Sequence, residues 1–144
     1  MSRRRMVLLV GMMLMAVTGR SYGQDTIYQS WPTAISSLSE TDWRIAADPD
    51  NTGRDKQWWM KAVPEAKPIR VPGILQEALP GYHGVVWYWH TFTAPEKNYA
   101  KGACLLRFHA VDYYAEVWVN DKLVGSHEGG ETPFVFDITD VVKA

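Results

Sequence analysis

In several segments between Ala103 and Ile138, hydrophobic and polar residues alternate along the chain. In Ala103 to Val111, Cys104, Leu106 and Phe108 share one side, with Leu105, Arg107 and His109 on the other. That two-residue period is the mark of a half-buried strand. Val85 to Thr93 is dense in aromatic and β-branched residues and stops before Pro95, as a strand does. Ala115 to Val119 alternates again. Asn120-Asp121 follows where a two-residue hairpin turn needs positive φ, and Lys122 to Ser126 is the predicted return strand. Thr132 to Ile138 places Phe134, Phe136 and Ile138 on one face, and Thr139 is positioned to cap a short turn through Val142.

Upstream the signals are shorter. Trp43 to Ala46 and Lys67 to Val71 read as strands. Asp48 to Gly53 reads as a turn, Gln57 to Val63 as one helical turn, and Gly73 to Gly84 as a connection with turn signals at Pro80-Gly81 and Gly84. Many short strands with scarcely any helical period predict an all-β sandwich or jelly roll. Such a sandwich wants a further strand after Lys143, so residues 41–144 are expected to lack its closing strand, leaving an exposed sheet edge.

The first residues follow a different grammar. Arg3, Arg4 and Arg5 precede an apolar run from Met6 to Val17, and Ser21-Tyr22-Gly23 offers small residues ahead of Gln24. An apolar run of about a dozen residues suits an export leader and falls short of the ~20 that a membrane span needs. Residues 1–23 are therefore expected to be a signal peptide, with an uncleaved anchor as the alternative. Ser2-Arg3-Arg4 also loosely fits a twin-arginine signal. The destination is periplasmic or secreted, with no membrane association after cleavage. Residues 24–40, polar and mixed, are expected to form an arm on the domain surface.

Without the leader, fifteen Lys and Arg become eleven against sixteen Asp and Glu, a net charge of −5. An acidic domain without basic clusters cannot neutralise phosphates, which argues against nucleic acid as a partner. The remaining length suits one domain and excludes a (β/α)₈ barrel of ~250 residues. Cys104 is the only cysteine, so an intramolecular disulfide is impossible. Its place in an alternating strand makes it a core thiol rather than a nucleophile.

Several strings occur together in order: Gly53-Arg54-Asp55-Lys56-Gln57-Trp58-Trp59, Ile69-Arg70-Val71-Pro72-Gly73, Gly84-Val85-Val86-Trp87-Tyr88-Trp89, and Leu105-Leu106-Arg107-Phe108-His109-Ala110-Val111-Asp112. Val117-Trp118-Val119-Asn120, Val124-Gly125-Ser126-His127-Glu128-Gly129-Gly130 and Thr132-Pro133-Phe134-Val135-Phe136-Asp137-Ile138-Thr139 complete the set. From about Trp43 to Lys143 the chain resembles the N-terminal sugar-binding domain of family 2 glycoside hydrolases, in the pattern of β-glucuronidases and β-galactosidases. The resemblance implies a galactose-binding-domain-like jelly roll standing before an immunoglobulin-like domain and a catalytic barrel. There, a retaining mechanism with an Asn-Glu acid/base and a second Glu cleaves β-glycosides. It also implies that the connection carrying Gln76, Glu77, Tyr82 and His83 approaches a carbohydrate pocket. The strand usually following Lys143 and the barrel lie outside this sequence.

The residues themselves supply little chemistry. Retaining hydrolysis needs two carboxyl groups about 5–5.5 Å apart, and no Asn-Glu pair occurs. Glu128 is expected as a turn residue before Gly129-Gly130, although loops can still gather Asp112, Glu128 and Glu131. Asp48, Asp50 and Thr52 begin like a calcium loop, but Trp59 stands where the bidentate Glu belongs, which favours an Asx-stabilised turn. The four histidines lack metal-ligand spacing. His90 and His109 are expected inside strands with their ring nitrogens satisfied, and His127 as a brace for the Gly-Gly turn. Among the tryptophans, Trp43, Trp87 and Trp118 are expected in the core. Trp58 and Trp59 are adjacent, so one of them should face away from it. The reading is a non-catalytic, carbohydrate-associated domain of a β-glycosidase, without a cofactor and served by a catalytic barrel in cis or in trans. The alternatives are a free-standing exported carbohydrate-binding module and an inactive truncated remnant.

Overall fold

The computed structural model describes residues 3–11, 35–94 and 102–143. Among these described residues, eight strands run in chain order: β1 (Arg3–Gly11), β2 (Glu40–Ala47), β3 (Lys67–Val71), β4 (Val86–Thr93), β5 (Leu105–Phe108), β6 (Tyr114–Val119), β7 (Lys122–Glu128) and β8 (Phe134–Asp137). A single helical turn, α1 (Thr139–Lys143), follows. Six strands form one sheet in the order β3-β2-β4-β1-β6-β7, and β5-β8 forms a second. Every neighbouring pair is antiparallel. The chain is thus an all-β sandwich, as its alternation predicts.

Both faces of the large sheet are covered. On one face Trp43, Ile45, Ile69, Val86, Val117 and Val119 meet Leu106, Phe134 and Ile138 from the smaller sheet and its flank. On the other, Trp87, Trp89 and Trp118 form a second apolar layer, closed by Trp58 and Trp59. Trp43, Trp87 and Trp118 are buried as expected. Each such ring removes ~150–250 Å² from water, about 4–6 kcal/mol of gross hydrophobic stabilisation.

The local expectations hold at the hairpin and differ at β5. Asn120 and Asp121 have φ of 49° and 67°, so the turn is the positive-φ type that matches strand twist. β5 begins only at Leu105 because Cys104 leaves the ladder for the α1 flank. Its N–H donates to Thr139 Oγ1 at 2.8 Å, and its carbonyl accepts from the Ile138 N–H at 2.9 Å. Cys104 is half-buried against the core. His109, expected inside that strand, is exposed at a bend beyond its end. Asp137, rather than Thr139, supplies the α1 cap, its Oδ1 accepting from the Thr139 N–H at 2.9 Å.

β1 lies in the stretch read as an export leader. In the intact chain it is an interior strand, paired with β4 on one side and β6 on the other. A run that is apolar at consecutive positions suits a strand buried on both faces as well as it suits a leader. Met6 and Leu8 enter the inner core, while Val7 and Leu9 enter the tryptophan layer. Of the expected surface arm, residues 24–34 lie outside the described residues; Ile35 is 87 % exposed.

Candidate functional site

The tryptophan layer has an open margin. The turn after Asp48 returns the chain across the sheet, and two hydrogen bonds pin it there. Trp89 Nε1 donates to the Trp58 carbonyl at 2.8 Å, and an Arg5 guanidinium nitrogen donates to the Met60 carbonyl at 2.5 Å. An Arg44 guanidinium nitrogen also donates to the Ala66 carbonyl. Between this turn and the sheet lies a cleft of about 450 Å³ whose walls include Trp59, Trp89, His90, Arg44, Lys61 and Asp42. Trp59 stacks parallel on Trp118 with centroids 5.7 Å apart. One ring face is therefore occupied, leaving the other face and the edge for the cleft.

His90 is the polar group least accounted for. It is 8 % exposed, stacks on Trp43 at 4.7 Å, and its Nδ1 has no hydrogen-bond partner in the protein. This corrects the expectation that its nitrogens are satisfied: β4 buries the ring flat against the Trp43 indole, which offers that nitrogen no acceptor or donor. Burial pushes its pKa below the usual histidine value, while the Asp42 carboxylate and a hydrogen bond to the Asp42 backbone pull the other way. Burial, the larger influence, thereby favours the neutral imidazole. Arg5, Arg44 and Lys61 outnumber Asp42 among the charged residues of the wall, so the cleft favours a ligand that is polar and anionic.

The residues singled out from the sequence lie elsewhere. Leu75–Glu77 forms a 3₁₀ turn, with Gln76 half-buried and Glu77 exposed. The Tyr82 hydroxyl donates to the Val85 carbonyl at 2.9 Å, and burial raises its pKa. His83 is exposed. None of Gln76, Glu77, Tyr82 or His83 lines the Trp59–His90 cleft.

Glu128 ends β7 rather than occupying the turn itself. Its carboxylate accepts a hydrogen bond from the Tyr113 hydroxyl, which raises the pKa of that phenol. Gly129 takes φ 134°. His127 Nε2 lies 2.9 Å from Thr132 Oγ1, which reaches the Gly129 carbonyl, so His127 does brace that turn. Asp48 is no metal ligand candidate: its carboxylate accepts from the N–H groups of Thr52 and Gly53 and from Trp87 Nε1. Among the described residues no cluster of His, Cys, Asp and Glu is suited to a metal ion.

The cleft residues escaped the sequence reading because no motif joins Arg44, Lys61 and His90. The adjacent pair Trp58-Trp59, one of them expected off the core, was the available signal.

Comparison with known proteins places this architecture. Residues 74–144 match the family described as glycosyl hydrolases family 2, sugar binding domain. The β-glucuronidase of Paenibacillus borealis is 39% identical over 104 residues, covering 69% of this chain and 17% of the relative. That of Rattus norvegicus is 32% identical over 159 residues, covering 100% of this chain and 24% of the relative. Among solved structures, Ruminococcus gnavus β-glucuronidase in complex with uronic isofagomine superposes with a TM-score of 0.62 at 27% identity. That superposition covers 74% of this chain and 18% of that one. The chain thus spans a quarter or less of the length of these relatives. It belongs to the sugar-binding domain family of the family 2 glycosyl hydrolases, of the β-glucuronidase-like kind.

Proposed function

We propose that this chain is the non-catalytic, carbohydrate-associated domain of an exported β-glycosidase, and that it holds sugar in the Trp59–His90 cleft. The observation carrying this is the composition of the wall: an indole, a neutral buried imidazole and a surplus of cations meet in one concave place. Indole faces pack on the apolar C–H surface of pyranose rings, and convergent polar groups orient the hydroxyls. The surplus of positive charge selects uronic acids over neutral sugars, in keeping with the glucuronide chemistry in the relatives' names. Hydrolysis itself belongs to a barrel, in cis or in trans, because the carboxylates here serve structure: Asp48 ties a turn, and Glu128 holds a tyrosine.

Calorimetric titration with methyl β-glucuronide and methyl β-galactoside tests the reading. Saturable heat with the uronide, weaker or absent with the galactoside and reduced in Lys61→Ala, is expected. Equal silence toward both sugars contradicts it. Against the alternative of a remnant, a single cooperative thermal transition is expected of the folded chain.

A further inference from the structure

We propose that the facing edges of β4 and β6 form a strand-accepting groove, and that Arg3–Gly11 is its ligand, held whether or not it remains covalently joined to the domain. The two edges pair with β1 and not with each other, so β1 spans a gap two strand spacings wide, roughly 9–10 Å. Both rims are aligned for it. Val7 stands opposite Trp89 on one side and Trp118 on the other, and Leu8 stands opposite Tyr88 and Val117.

The groove is apolar above and below the strand. Met6, Val7, Leu8 and Leu9 are each 6 % exposed or less, divided between the two cores. At the strand's start, recognition passes through the backbone. The Asn120 N–H donates to the Arg5 carbonyl at 3.0 Å, and the Arg5 N–H donates to Asn120 Oδ1 at 3.4 Å. Asn120 Nδ2 meanwhile donates to the Val141 carbonyl at 2.9 Å. One side chain thus couples the groove to α1. Main-chain pairing supplies the affinity and alternate side-chain pockets the selectivity, as in strand addition to a sheet edge.

The same residues read as an export leader, and cleavage after Gly23 severs them from the domain. The groove gives that cut a structural consequence: the sheet keeps its centre only while an extended segment, apolar on both faces, remains seated. An empty groove exposes two unpaired edges, an aggregation hazard.

The test uses the full chain, folded and then cut once at a protease site inserted between Gly23 and Gln24. The N-terminal piece is expected to co-elute with the body one to one, and its amides to exchange as slowly as those of β4 and β6. A labelled synthetic peptide of residues 3–11 should exchange into the cut complex at one per body, and the same peptide carrying Leu8→Asp should not. Immediate loss of the piece on cutting, fast amide exchange along β1 in the intact chain, or equal uptake of both peptides would overturn the proposal.

Discussion

The indole Nε1 of Trp87 donates to Asp48 Oδ2 at 2.9 Å, joining the start of β4 to a turn separated from it by the length of β3 and its loops. Trp87 is fully buried and Asp48 is 2 % exposed. The same carboxylate accepts from the N–H groups of Thr52 and Gly53 at 2.9 and 2.8 Å. Together with the Trp89 and Arg5 hydrogen bonds, this side chain therefore fixes how the turn carrying Trp58 and Trp59 lies over the sheet, and with it the shape of the cleft.

Replacing that carboxylate strands its buried donors. Asp48→Ala is expected to cost about 3 kcal/mol or more, since each unsatisfied buried donor costs ~1–3 kcal/mol. Urea unfolding of both proteins measures it. A difference below about 1 kcal/mol would mean that the knot contributes little.

Gly53 is required by proximity to the same knot. A Cβ there would meet Trp87 Nε1 at 2.4 Å and Asp48 Oδ2 at 2.7 Å. Gly53→Ala must push the turn outward, with an expected loss of about 1–3 kcal/mol, the usual range for overpacking. The melting temperature of the variant reports the outcome.

The burial of His90 makes the fold acid-sensitive. Its folded pKa is lowered, chiefly by desolvation, so the unfolded chain binds the proton more readily. Stability is full above the ordinary value of about 6.5 and falls as pH drops through that value toward the lower folded one. His90→Gln is expected to flatten this acid limb in melting temperature measured across that window. An unchanged limb assigns the effect to other groups.

Tyr88 sets the alkaline limb. Burial pushes its phenol up to about 12, so the folded chain keeps a proton that the unfolded chain releases near pH 10. The contribution is complete below pH 10 and is lost as pH rises from there toward about 12. Tyr88→Phe should remove this part of the decline, followed by equilibrium unfolding at rising pH.

The strands were legible wherever apolar residues alternated against one core, as in β5 and β8. The hairpin was legible because Asn120-Asp121 tolerates positive φ. Around β1 the sequence was ambiguous for a physical reason: four consecutive buried residues, Met6 to Leu9, satisfy the pattern of a two-faced strand and of a leader alike. The cleft was illegible because it arises from tertiary closure. Arg44, Lys61 and His90 come together only once the Asp48 turn folds back, and neither their spacing nor their types announce that. Gln76 and His83 drew attention through the resemblance alone.

The most direct measurement of the central claim follows the seven indole N–H signals by NMR during titration with methyl β-glucuronide. Saturable shifts confined to Trp59 and Trp89, with the fully buried Trp87 unmoved and the response lost in Trp59→Ala, are the predicted result. Shifts absent throughout, or unaltered by Trp59→Ala, would contradict a sugar site in this cleft.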